Sequence, residues 1–140
     1  MKKKIFSLLA IGILMGIIAI SASASSSNSR ITAGLNANRN SSTHLVTATP
    51  IGIRTGATAE HSIRMRIHSN AITVVNGVTS GNNLRTDPWT TQGNPRRNHS
   101  YRGPQRTRTI RQGFVESQVE VRRAAINLFG SQVRQRLSWN

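Results

Sequence analysis

A chain of 140 residues with 19 basic and four acidic side chains carries a formal net charge of +15 and contains no cysteine. Those numbers limit it to one small domain and exclude disulfide stapling, thiol catalysis and thiolate metal sites. A positive charge of this size selects polyanionic partners: nucleic acid, anionic lipid headgroups or wall polymers.

The first 24 residues read as a secretory leader. Lys2, Lys3 and Lys4 precede a predominantly apolar run over 5–20, and Ala22-Ser23-Ala24 supplies an A-x-A site. A basic start, an apolar middle and small residues before a cut are what export requires, so cleavage is expected after Ala24. The secretion machinery would engage residues 1–24, and the product would be extracellular. The alternative is an uncleaved anchor, although a spanning helix needs roughly 20 apolar residues. All three lysines lie in the leader, so residues 25–140 carry 16 arginines against Glu60, Asp87, Glu116 and Glu120, a net +12. Arginine presents a planar fork that grips phosphate or carboxylate through two hydrogen bonds. A bias in codon use would produce the same composition.

Residues 25–30 are polar and are expected to form a flexible lead-in. Over 31–54 the pattern is weak, with Asn36, Asn38 and Asn40 interrupting it; 45–49 and 51–54 suggest short strands bent by Pro50 and Gly52. Proline donates no hydrogen bond, so a strand at Pro50 is predicted to be broken or to lie at an edge. The clearest signal is over 61–79. Ile63, Met65 and Ile67 alternate with Ser62, Arg64, Arg66 and His68, the period of a half-buried strand. Asn76-Gly77 then sits between β-branched residues, a hairpin signal because both turn positions require positive φ.

Residues 80–109 hold three prolines, several glycines and few large apolar side chains, and read as a long basic loop with one short strand near 107–110. Within it, Arg85, Arg96, Arg97, Arg102, Arg106 and Arg108 surround Tyr101, which makes this segment the candidate polyanion-binding site. The cations would follow a charged backbone while Tyr101 or Trp89 stacks on a base or lies at a membrane interface. A solvated loop with no specific partner is the plainer alternative. Toward the C-terminus, Val115, Ser117, Val119 and Val121 share one face of a strand, and Val133, Gln135, Leu137 and Trp139 share another. Pairing the two would set Glu116 and Glu120 opposite Arg134 and Arg136. A helix over part of 114–130 also fits the apolar spacing, and 122–128 is compatible with a short one.

Catalytic motifs are scarce. The one enzyme-like set is Glu60 beside His61, with His44, His68 and His99 and the arginines, which a nuclease could use as acid, base and phosphate clamp. Polar residues on solvated strand faces explain the same set more simply, and the chain is expected not to be an enzyme. No metal or other cofactor is expected, since the histidines lack companions at ligand spacing.

Ser100-Tyr101-Arg102-Gly103, then Thr107-Arg108-Thr109-Ile110, and the terminal Leu137-Ser138-Trp139 resemble segments of the secreted lactococcin-type bacteriocins, over less than the last third of the chain. That resemblance implies a small β-sandwich acting outside the cell on susceptible bacteria at the level of wall precursors. The sequence thus predicts a leader, a polar lead-in and one mainly β domain over 31–140. The domain is expected as a small antiparallel sheet or sandwich with a basic loop at 80–109. The functional expectation is a secreted cationic antibacterial protein acting on anionic envelope components: wall polymers, wall precursors or anionic lipid. A non-lethal polyanion-binding or wall-associated protein and a secreted nuclease are the alternatives. Any nucleic-acid binding would be non-specific.

Overall fold

The computed structural model describes residues 19–123 and 131–140. Ten strands form two antiparallel sheets that face each other: β1 (Ala19–Ser27), β2 (Ile31–Asn40), β3 (Leu45–Arg54), β4 (Ser62–Val75), β5 (Val78–Thr86), β6 (Thr90–Gly93), β7 (Ser100–Arg102), β8 (Arg106–Thr109), β9 (Gln112–Arg122) and β10 (Ser131–Trp139). The first sheet runs β1-β2-β3-β7, with β8 also on β3. The second runs β10-β9-β4-β5, with β6 also on β4. The mainly β expectation is met as a sandwich.

Strand β4 forms where the alternation predicts it. Ile63, Met65 and Ile67 are buried between the sheets, while Arg64, Arg66 and His68 stand on the outer face. Asn76 and Gly77 adopt φ of 51° and 77° and close the β4–β5 hairpin. The C-terminal segments are strands, with Val115, Ser117, Val119 and Val121 turned inward. Their register matches one predicted charge pair, Arg136 opposite Glu116. Arg134 lies opposite Gln118, and Glu120 lies opposite Gln132. Two apolar clusters fill the interior, one around Leu35, Val46, Ile67, Ile110 and Val115, the other around Ile31, Ile63, Met65, Val119 and Val121.

Several expectations need correction. The asparagines of β2 do not interrupt a pattern; they form its outer half, while Ile31, Ala33, Leu35 and Ala37 form the buried half. Strand β3 runs unbroken through Pro50 in the interior of its sheet. On its outer side β7 pairs with Ile51, Gly52 and Ile53 and β8 with residues 45–48. Pro50 thus falls in the gap between two neighbours, where no N–H is called for, and its carbonyl accepts from the Gly103 N–H at 2.9 Å.

The stretch 80–109 is not one long loop. It holds most of β5 and all of β6, β7 and β8, which cover the free sides of β3 and β4. Such edge strands are fixed by their partners' unpaired backbone groups, so their own side chains need no apolar period. Residues 25–27 likewise belong to β1, and Asn28 Oδ1 accepts from the N–H groups of Arg30 and Ile31 to make the turn into β2. The expected leader lies outside the described residues up to residue 18; from Ala19 onward it is β1, with Ala24 opposite Leu35. Of the short helix expected over 122–128, residues 124–128 lie outside the described residues, and Arg122 ends β9.

Candidate functional site

The chain has four carboxylates, and each is buried against arginine. Glu60 lies in the β3–β4 connection and accepts from Arg30 Nε and Nη2, both at 2.8 Å, with Arg123 Nε at 3.7 Å. Asp87 accepts from Arg108 Nη2 at 2.6 Å and faces Arg106 Nε at 3.8 Å. Glu116 accepts from Arg136 Nε at 3.0 Å and from Gln118 Nε2 at 2.8 Å. Glu120 is paired with Arg64. Every acid therefore sits below one-tenth exposure, while eight arginines are exposed: Arg85, Arg96, Arg97, Arg102, Arg111, Arg123, Arg134 and Arg136. Burying the acids has a physical logic, since a desolvated carboxylate is tolerated only beside a hydrogen-bonded cation. The consequence is a surface whose formal side-chain charge is entirely positive.

The structure divides the seven residues expected to bind polyanions. Arg106 and Arg108 are committed to Asp87 and hold the β5–β6 connection to β8. Tyr101 is half-buried against the second apolar cluster, and its hydroxyl accepts from the Arg96 N–H at 2.9 Å. That position removes it as an open stacking platform. Arg97 donates through Nε to the Thr55 carbonyl at 2.9 Å, anchoring the β6–β7 turn, yet stays exposed. Arg85 on β5, Arg96 in that turn and Arg102 on β7 are exposed on different elements along one edge of the sandwich.

A denser arrangement occupies the outer face of the second sheet. Because β9 lies between β4 and β10, its row Glu120-Gln118-Glu116 is flanked by Arg64, Arg66 and His68 on one side and by Gln132, Arg134 and Arg136 on the other. Trp89, from the β5–β6 connection, covers Arg64 and Arg66 at 4.3 and 4.1 Å from guanidinium carbon to ring centre. Arg136 lies over Phe114 at 3.7 Å. Gln118 at the centre accepts from Arg66 Nε at 2.8 Å. Burial and then the nearby Arg64 hold Arg66 below the usual guanidinium range; Arg134 acts the same way and Glu120 opposes them. Four cations thus surround two carboxylates and a neutral amide. An added phosphate or carboxylate would relieve the excess charge. The flat, stacked guanidiniums would lose little rotamer freedom in holding it.

This face was partly present in the sequence. The period of two placed Arg64, Arg66 and His68 together, and the charge match placed Arg134 and Arg136 near Glu116. The missing information was that β9 lies between them, and that Trp89 folds back over the arginines. By contrast an open groove of about 720 Å³ on the first sheet, lined by Ser23, Asn36, Asn38, Thr47, Thr49 and Gln105, carries no charged side chain. The molecule's cations are displayed on a face and an edge rather than in that groove.

Apart from the chain neighbours Glu60 and His61, of which His61 is exposed, the nuclease set is dispersed. Glu60 is buried under Arg30, His68 Nδ1 meets Thr86 Oγ1 at 2.8 Å on the outer face, His44 meets Arg39, and His99 packs edgewise on Tyr101. No family model, curated protein or solved structure matches this chain.

Proposed function

We propose that the protein is an exported cationic antibacterial protein that engages anionic polymers of the bacterial envelope through the arginine face of β4, β9 and β10. The observation that carries this reading is the fate of the acids. All four are buried against arginine, so an approaching polyanion meets no exposed carboxylate side chain. Counterions condensed on such a polymer would be released as the arginines replace them, which makes binding salt-dependent. Trp89 and Phe114 support the reading by holding three of the guanidiniums against aromatic rings. The β-sandwich is the fold that the likeness to lactococcin-type bacteriocins implies, and it is compatible with action on wall precursors. Export rests on the basic-apolar-small order of residues 1–24.

A test is growth inhibition across a panel of Gram-positive bacteria with protein recovered from the culture medium, at low and at physiological salt. Killing at micromolar concentration that persists at physiological salt supports the antibacterial reading. Binding to cells without killing leaves a wall-associated polyanion binder, the second reading, which the same buried acids support. Absence of both binding and killing refutes the proposal.

A further inference from the structure

Strand β4 outruns its sheet. Its last partner on β9 is Gln112, opposite Ile72; beyond that it pairs with β5 alone, through Val74 opposite Thr79 and Val75 opposite Val78. The result is a two-stranded ribbon over residues 73–81, and residues 73–86 are all exposed. Five large apolar side chains are exposed among the described residues; three of them, Val74, Val75 and Val78, are in the ribbon, with Val78 at 68%, and Leu84 follows on β5 at its base. In a chain this cationic, residues 71–84 contain no charged side chain, while Arg85 and Arg111 are exposed at the ribbon's base. Isolated hairpins gain little stability in water, and a clustered apolar tip is a feature that marks a docking surface.

We propose that the β4–β5 hairpin is a membrane-docking finger whose valine tip enters the interface of an anionic lipid bilayer. Three residues of strand extend past Ile72, so the tip projects by about 10 Å at ~3.3 Å per residue. That matches the roughly 5–10 Å to which interfacial elements bury their apolar side chains. At that depth the unpaired edge of β5 stays among hydrated headgroups, so its backbone groups keep their hydrogen bonds; full insertion would deny them partners. Thr73, Thr79, Ser80, Asn82 and Asn83 suit the headgroup layer, and Arg85 and Arg111 would lie at its phosphates. An anionic bilayer is favoured over a second copy of the chain because two arginine-only surfaces repel each other. The choice of anionic lipid rests on the envelope-directed reading above. Ser80 Oγ donates to the Thr73 carbonyl at 3.2 Å within the ribbon, and Asn70 Nδ2 donates to Asn82 Oδ1 at 3.3 Å at its base. Its tip valines can therefore be changed without touching the core.

The experiment compares protein recovered from the medium with its Val75→Ser/Val78→Ser variant, by flotation with vesicles of equal phosphatidylglycerol and phosphatidylcholine, with phosphatidylcholine vesicles, and by titration with soluble polyphosphate. The proposal predicts that the variant loses at least 10-fold in partitioning to the anionic vesicles, keeps its polyphosphate affinity, and matches the parent by circular dichroism. Equal vesicle binding by parent and variant overturns it and leaves the arginine face as the sole membrane contact. Polyphosphate binding without vesicle binding overturns the finger while the function stands. Binding to neither removes both. Concentration-dependent dimers of the parent that the variant lacks also overturn it, in favour of self-pairing through the hairpin.

Discussion

Arg30→Ala should be one of the most damaging single changes outside the apolar core. Glu60 exposes 1% of its side chain, and Arg30, at 20%, supplies both of its short contacts. Removing Arg30 leaves the carboxylate buried with, among the described residues, only Arg123 Nε at 3.7 Å. Breaking a buried pair from one side typically costs ~3–5 kcal/mol. Some water would reach the vacated position, so the lower end, about 3 kcal/mol, is expected. For a domain of this size that corresponds to a fall in Tm of roughly 10–15 °C. The Arg30 carbonyl also accepts from the N–H groups of Thr55 and Gly56, at 2.8 and 3.0 Å, so the β3–β4 connection is tied to the β1–β2 turn at this point. The double variant Arg30→Met/Glu60→Leu removes both charges and should recover most of the loss, to within ~1 kcal/mol of the parent. Thermal and urea unfolding followed by circular dichroism measure the cycle. A single variant within about 1 kcal/mol of the parent, or a double variant worse than either single, would refute the reasoning.

Gly113→Ala should fail to fold or lose more than ~4 kcal/mol, since φ is +129° and a Cβ would lie 1.9 Å from the Asn70 carbonyl oxygen; soluble yield and urea unfolding report it. His68 is held below its ordinary pKa by burial first and then by Arg66, Arg136 and Arg134, with Glu116 opposing. Its neutral ring therefore favours the fold above the unfolded value near ~6.5, and that contribution declines as pH falls through it toward the lower folded value. Unfolding midpoints between pH 7.5 and 5 should fall less steeply in His68→Gln. Trp89→Leu removes the ring shared by Arg64 and Arg66 and should cost about 1–2 kcal/mol in urea unfolding, together with weaker polyanion binding.

How far the fold could be read from the sequence depended on whether a strand carries its own pattern. β4, its Asn76-Gly77 turn, β9 and β10 bury alternate large side chains, and the period of two exposes them. In β2 the buried half includes the small residues Ala33 and Ala37, and the outer asparagines resemble breakers. In β1 the outer and inner residues differ little in size or polarity, with Ser23, Ser25 and Ser27 exposed and Ala24 and Ser26 half-buried. The same Ser-Ala alternation is what a cleavage site looks like, so one string of residues supports two readings. Cutting after Ala24 would strip six of the nine β1 residues from β2. β6, β7 and β8 take their geometry from neighbours and show almost no signal of their own. The arginine face needed long-range information: Arg66, Gln118 and Arg134 come together only once the strand order is known. Arginine-rich composition drew attention to 80–109, where two of the arginines turn out to neutralise Asp87.

The central claim is that this face binds polyanions through four arginines that outnumber its two carboxylates. It is tested most directly by titrating protein recovered from the medium with poly(glycerol phosphate) from 50 to 300 mM salt, beside Arg66→Gln/Arg134→Gln. With four arginines engaged and a slope of about −0.7 per contact on a flexible chain, log K should fall against log salt with a slope near −3. The variant should lose roughly half of that slope. Binding that does not weaken with salt, or a slope unchanged in the variant, would contradict the account.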